Sequence, residues 1–233
     1  MRRGSPAPGL GFALAVAVLV LFSVARTFGV LGPPAESIGL LIGALALIAW
    51  FTGATLDDLG LGWADAREGL LYGAGAVALV LLVLVVAAVI PATNGFLHDS
   101  RAQISGDRLV YDLGVSIVLF TAIPEEFAFR GVLLGSGLRM WGPWRASLAS
   151  SALFGLWHIA PTLHTMSDNR AVRSLSVTAG GQSLLVLGSI AVTSVAGLAF
   201  CWLRLRSRSL IAPVMAHAAI NGLALTVAWF AVH

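Results

Sequence analysis

The sequence contains no lysine, a single cysteine and few charged residues. All 14 basic residues are arginines, and charged residues make up 11% of the chain, whereas a soluble domain carries roughly 25%. Because Cys201 has no second cysteine to pair with, an internal disulfide and a metal site built from several cysteines are excluded. The net charge of +3 is spread over predicted loops, so no nucleic-acid partner is expected.

What the chain has instead is long apolar runs, since hydrophobic residues make up 58% of it. A helix needs about 20 mainly apolar residues to cross a bilayer. We therefore expect an all-α polytopic membrane protein with membrane lipid around it. About seven transmembrane segments are predicted, at residues 10–30, 37–51, 69–90, 110–137, 144–162, 183–203 and 210–232.

These segments divide the chain into two parts. Residues 1–109 are predicted to form about three N-terminal transmembrane helices, and residues 110–233 a core of about four helices. An alternative for the first segment is a cleaved signal peptide, because two arginines precede the apolar run and Ser23-Val24-Ala25 is an acceptable cleavage site.

The arginines predict the orientation of the chain. With the N-terminus in the cytoplasm, eight arginines fall in cytoplasmic segments and four in outer loops, as the positive-inside rule requires. We therefore predict a multi-pass protein of the cell (inner or plasma) membrane with a cytoplasmic N-terminus. Arg204, Arg206 and Arg208 are expected to anchor one helix end on anionic lipid.

The segment 110–137 carries charges where a membrane disfavours them. It contains Glu125, Glu126 and Arg130, and one ionisable group near the bilayer centre costs at least ~2.5–3.5 kcal/mol. Such groups therefore face the protein interior, pair with one another and usually serve function. Pro124, just before the two glutamates, predicts a kink or a break in this helix.

Three further polar residues interrupt apolar runs, namely His158, His217 and Asn221. The spacing of four places His217 and Asn221 on one helix face. With a rise of about 1.5 Å per residue, these residues and Glu125 lie within about two helical turns of one another in depth, although they come from three segments. A shared depth predicts one buried polar cavity inside the bundle.

The residue types limit the chemistry of such a cavity. A carboxylate with one or two imidazoles can hold and deprotonate a water, with or without a metal, and neutral His and Asn side chains can donate to an oxyanion. Arg130, one turn beyond Glu126, indicates that one glutamate is held ionised while the other acts as base. No serine or cysteine has an evident base beside it, which favours hydrolysis by water.

Three short motifs, each in a separate predicted segment, resemble those of the CPBP family. This family contains type II CAAX prenyl endopeptidases and bacteriocin-processing proteins and is also called Abi. The resemblance covers about residues 110–232, roughly half of the chain. The motifs, in chain order, are Glu125-Glu126-x-x-x-Arg130, Phe154-x-x-x-His158 and His217-x-x-x-Asn221.

The resemblance implies roles for these residues. Glu125 would be the general base, with His158 helping to hold the water or a metal, and Glu126 and Arg130 would support the site. His217 and Asn221 would stabilise the oxyanion. For the cofactor the resemblance leaves two possibilities open, which are Zn²⁺ on a site of Glu125, His158 and His217, or a metal-free mechanism.

The resulting functional prediction is an intramembrane endopeptidase that cleaves a membrane-associated protein or peptide. The alternative is a catalytically silent membrane scaffold or bacteriocin-immunity factor with the same fold. A small proton-coupled transporter is a third possibility, but transporters more often show internal repeats, and the sequence shows none.

Overall fold

The structure is a computed structural model that describes residues 8–90, 99–166, 168 and 170–233. It is 86% helical and these residues contain no β-strand, which confirms the predicted all-α fold class. Short 3₁₀ turns lie at Trp63–Asp65 and Ser100–Ala102. The helices are α1 Pro8–Thr27, α2 Pro34–Phe51, α3 Leu56–Leu59, α4 Ala66–Val89, α5 over residues 106–141, α6 Pro143–Trp157, α7 Ile159–Thr165, α8 Arg170–Ser176, α9 Gly181–Ser207 and α10 Ile211–Val232.

Within the described residues, five helical stretches are long and apolar enough to cross a membrane, and each corresponds to one predicted segment. The predicted segments 110–137 and 144–162 are helical but take a different form, so the count of seven is not confirmed. The five stretches are Pro8–Thr27, Pro34–Phe51, Trp63–Val89, Gly181–Ser207 and Ile211–Val232.

The predicted segment 110–137 lies within α5, which continues through Pro124 without ending. Its backbone is wound as a π-helix over Val118–Ala122 and again over Phe127–Leu133, on either side of this proline. A π turn bonds residue i to i+5 and occurs frequently at functional sites. The wider turns let the helix pass Pro124, so the predicted break is wrong, and the glutamates lie between two π-helical stretches.

The predicted segment 144–162 is divided at His158. The backbone N–H of His158 bonds to the carbonyl of Gly155, which tightens the last turn of α6, and α7 starts at the next residue. The 15 residues of α6 span about 22 Å at a rise of 1.5 Å per residue. This is shorter than the hydrocarbon core of about 30 Å, so α6 alone does not meet the length of a spanning helix.

Helix α5 lies in the middle of the bundle. Every residue from 126 to 137 is buried, and α5 packs against α1, α2, α6 and α10. A helix that is enclosed on all sides can hold polar groups away from lipid. Its Phe129 and Leu133 join Leu45 of α2 and Phe154 of α6 in one apolar core, which surrounds the charged residues of α5.

At one end of the bundle, Arg204 holds the loop between α2 and α4. Its side chain is buried, and Nη2 donates to the main-chain oxygens of Asp57 and Asp58 at 2.9 and 3.2 Å. The predicted lipid contact is therefore wrong for Arg204, because a partner 146 residues away in sequence takes up the guanidinium. Arg206, two residues further on, is exposed.

Two more arginines bind the same loop, residues 52–65. Arg139 of α5 donates from Nη2 to the carbonyl of Thr52 at 3.0 Å, and exposed Arg208 pairs with Asp65 at 2.8 Å. Together, these contacts of Arg139, Arg204 and Arg208 connect the loop to α5 and to the end of α9.

Candidate active site

Glu126 forms the centre of a buried ionic network. Its side chain and that of Arg130 are both 0% exposed, and Arg130 Nη1 donates to Glu126 Oε1 at 2.9 Å. From α10, Nδ1 of His217 reaches the same oxygen at 2.8 Å. Glu126 Oε1 therefore binds one residue of its own helix, Arg130, and one residue of α10, His217.

The Arg130 guanidinium is surrounded by aromatic rings. Its Cζ lies 4.1 Å from the ring centroid of Phe154 and 4.9 Å from that of Phe200. Gly197 of α9 also lies close, because a Cβ at this position would be 3.2 Å from Arg130 Nη2. Burying a charge is costly unless it is paired, and cation–π contacts supply part of the lost solvation. The rings and the small residue hold Arg130 against Glu126.

Glu125 has a different environment from its neighbour. Its Oε1 accepts a hydrogen bond from the indole Nε1 of Trp157 at 3.1 Å. Its Oε2 is buried, has no hydrogen-bond partner among the described residues, and lies 3.8 Å from His217 Nε2. The Glu125 side chain is 17% exposed, against 0% for Glu126. Each glutamate therefore keeps Oε2 without a partner among the described residues, but Glu126 is fully enclosed with Oε1 shared by Arg130 and His217, whereas Glu125 is partly exposed.

The contact with Glu126 determines how His217 can act. A carboxylate only accepts hydrogen bonds, so Nδ1 of His217 is the donor in this pair. A neutral ring then carries a lone pair on Nε2, and Nε2 can donate only when the ring holds both protons. Phe200 stacks on the imidazole with 5.3 Å between ring centroids, which fixes the plane of the ring.

His158 lies beside this network at the division between α6 and α7. Its Nδ1 is 2.7 Å from the carbonyl of Phe154. Because a carbonyl oxygen cannot donate, Nδ1 carries the proton and Nε2 is the acceptor in the neutral ring. The Phe154 ring packs edge-on against His158 and His217, with centroids 4.6 and 5.9 Å away. Both histidines therefore share one aromatic neighbour.

The structure brings some of the predicted site residues together and leaves one apart. Direct hydrogen bonds join Glu126 to Arg130 and to His217, and Glu125 lies next to them. The Asn221 side chain is half-buried, one turn beyond His217 on α10, and its amide makes no hydrogen bond with the described residues. It adjoins the network through the helix rather than through its amide.

Trp157 is a site residue that the motifs do not indicate. The sequence places it beside His158 but gives no partner for its indole N–H. A buried indole N–H usually has an acceptor. In an apolar segment, this need for an acceptor is the feature of the sequence that could have indicated Trp157 as a site residue. The acceptor comes from Glu125, 32 residues earlier in the chain.

The predicted metal ligands do not form a ligand group in this structure. Among the described residues there is no set of three or more His, Cys, Asp and Glu side chains positioned to hold a metal ion. His217 uses Nδ1 for Glu126, and His158 uses Nδ1 for a main-chain carbonyl. In both rings Nε2 remains as the acceptor, which is how metal-binding histidines are usually held, so zinc on Glu125, His158 and His217 stays a prediction.

Comparison with known proteins gives one match. Residues 109–223 match a family model described as Type II CAAX prenyl endopeptidase Rce1-like. The match includes all six predicted site residues. No curated protein and no solved structure matches the chain.

Proposed function

Because the chain carries a domain of the type II CAAX prenyl endopeptidase Rce1-like family over residues 109–223, we propose that it is an intramembrane endopeptidase. Its substrate would be a membrane-associated protein or peptide, and an activated water would hydrolyse the peptide bond. The family match agrees with the CPBP identification made from the motifs.

The observation that supports this proposal most strongly is that Glu125 combines a free oxygen with partial exposure. Oε2 is buried, unpartnered within the described residues and 3.8 Å from His217 Nε2. A base must keep an oxygen available for the proton it removes. Glu126 Oε2 also has no partner among the described residues, but the Glu126 side chain is 0% exposed and its Oε1 is held by Arg130 and His217, whereas the Glu125 side chain is 17% exposed and open to a water. We assign Glu125 as the general base and Glu126 as the residue that orients His217.

The proposed reaction begins with a water beside Glu125. Oε2 removes a proton as the water oxygen attacks the carbonyl carbon of the substrate, and the electrons of the carbonyl bond move to its oxygen. Nε2 of His158, free to accept, helps to hold the water. The carbon–nitrogen bond then breaks, and the proton passes from Glu125 to the leaving nitrogen. The products are a carboxylic acid and an amine.

The oxyanion of the tetrahedral intermediate would accept hydrogen bonds from His217 Nε2 and the Asn221 amide. For His217 this requires the doubly protonated ring, because Nδ1 already donates to Glu126. Before the attack, the carboxylates of Glu126 and Glu125, at 2.8 and 3.8 Å, compensate this positive charge. Once Glu125 has taken the proton of the water, Arg130 and His217 are the two positive groups of the cluster, and Glu126 and the oxyanion are the two negative ones.

The test replaces Glu125 by glutamine, which keeps the size of the side chain and removes its ability to accept a proton. Cleavage should fall by roughly 10²–10⁴, the usual contribution of general base catalysis. The measurement compares the membrane proteomes of cells that carry wild-type protein or Glu125→Gln, and a shortened product should be missing from the variant. Identified products are then tested with purified protein.

Glu36→Gln is the matched control, because Glu36 is exposed in the first turn of α2. It should leave cleavage unchanged. Purified Glu125→Gln that cleaves at the wild-type rate would refute the assignment of the base. If wild-type protein binds a membrane partner without producing any shortened product, the scaffold alternative is favoured.

A further inference from the structure

A groove lined almost entirely by apolar side chains lies between α1, α5 and α6, next to Glu125. From α1 it is lined by Val16, Leu19, Val20 and Val24, and its other wall includes Trp157 and Phe129. The helix α1 lies outside residues 109–223, so the family match does not assign this groove.

Trp157 belongs to the groove and to the active site at the same time. Its ring lines the groove, while its indole Nε1 donates to Glu125 Oε1 at 3.1 Å. Phe22 of α1 stacks on this ring with 6.1 Å between centroids, and Phe129 packs edge-on at 5.9 Å. A group that fills the groove therefore touches the residue that orients the base.

The size of the groove limits what can occupy it. Its volume is about 190 Å³, somewhat larger than the apolar cavity of ~150 Å³ that takes up benzene in an engineered protein. One large aliphatic or aromatic side chain has this size. A whole helix is too large, and a long lipid chain would extend well beyond it.

We propose that this groove is a specificity subsite, which binds one large apolar side chain of the substrate close to the scissile peptide bond. The inference rests on the proposed function. Helix α1 would then contribute to the choice of substrate, and Trp157 would be a positioning residue that connects the bound side chain to Glu125. The indole N–H fixes Oε1 and leaves Oε2 free for the water.

The probe is a proteome-derived peptide library offered to the full-length protein in lipid bilayers, with the ends of the products sequenced by mass spectrometry. Wild-type protein should prefer a large apolar residue at one position relative to the cut. Val20→Phe narrows the groove and should shift this preference toward Ala, Gly or Ser by at least about tenfold, the lower end of what one methylene contributes in an apolar pocket.

Two further variants make this result specific. Leu156→Ala enlarges the groove at a half-exposed position and should shift the preference toward larger residues. Leu21→Phe adds a similar ring at an exposed site of α1 outside the groove lining and should change nothing. Opposite shifts for Val20→Phe and Leu156→Ala would exclude a general loss of folding as the cause.

Trp157→Phe separates the two roles of Trp157. It keeps a ring in the groove wall and removes the N–H. Turnover should therefore fall at least about tenfold, the lower end of what one hydrogen bond to a charged group contributes, while the residue preference stays. If Val20→Phe and Leu156→Ala cleave with the wild-type preference, or only more slowly at every sequence, the subsite is refuted and the endopeptidase stands. If wild-type protein cleaves no peptide, while Glu125→Gln behaves identically, both proposals fail together.

Discussion

Arg130 and Arg204 are both buried, yet their partners differ in kind. Arg130 is 0% exposed and pairs with the carboxylate of Glu126 at 2.9 Å. Arg204 is 4% exposed and donates to two main-chain carbonyls of the loop at residues 52–65. In the first case a charge meets a charge inside the bundle. In the second case a charge meets neutral oxygens at the end of the bundle.

This difference distinguishes an arginine that belongs to the candidate active site from one that stabilises the fold. The pair of Arg130 and Glu126 continues to His217 and ends at the free oxygen of Glu125. The contacts of Arg204 end in the backbone of one loop. Burial of an arginine therefore does not indicate chemistry by itself, and the partner on the far side of the contact decides its role. Substitutions at the two arginines should test this distinction.

The largest effect is expected at Arg130. Arg130→Met leaves Glu126 buried without its counter-charge, and breaking one side of a buried pair costs about 3–5 kcal/mol of unfolding free energy. Equilibrium unfolding in mixed micelles measures this loss. Cleavage per folded molecule should also fall, because His217 is no longer held against an oriented carboxylate.

The double variant Arg130→Met/Glu126→Gln sharpens this result. Removing both charges of a buried pair is often nearly neutral for stability, so the double variant should recover much of the stability that Arg130→Met loses. It should not recover cleavage. A double variant that regains both stability and wild-type cleavage would mean that the pair serves only the fold.

A smaller effect is expected at Arg204. Arg204→Met leaves two main-chain carbonyls without their donor, which costs about 1–3 kcal/mol for a buried polar group. Cleavage per folded molecule should remain near the wild-type value. Arg206→Met is the matched control, since it makes the same change two residues away at an exposed position, and it should leave stability unchanged. A specific loss of turnover in Arg204→Met, with stability retained, would contradict the comparison.

The sequence predicts one of these two arginines well and the other poorly. Arg130 stands out because it lies within an apolar run together with Glu125 and Glu126, and a membrane makes such charges costly. Arg204 lies at the end of an apolar run, where lipid headgroups are the ordinary partners. Its real partners, Asp57 and Asp58, are about 146 residues away in sequence. Contacts that distant depend on helix packing, which hydropathy alone does not encode.

The dependence on helix packing also explains the other differences between the sequence predictions and the structure. The all-α class and the five described helices that are long and apolar enough to span follow from hydropathy, because each depends on a local run of residues. The division at His158 and the π-helical stretches around Pro124 depend on which backbone groups find partners in the packed bundle. The hydrogen bond from Trp157 to Glu125 joins two helices and needs their relative rotation.

The smallest effect is expected from removing metal, and it tests whether protein side chains alone balance the charge of the site. Arg130 and His217 already engage Glu126, and the described residues offer no group of three ligands. We therefore expect exhaustive chelation to change the cleavage rate less than about twofold, whereas loss of a required metal would abolish activity reversibly. Elemental analysis of the same preparation gives the metal content. The opposite result would be one zinc per chain that is lost in His158→Ala, together with activity that added zinc restores in the chelated wild type. A bound zinc ion, and not Arg130 alone, would then supply the main positive charge of the site.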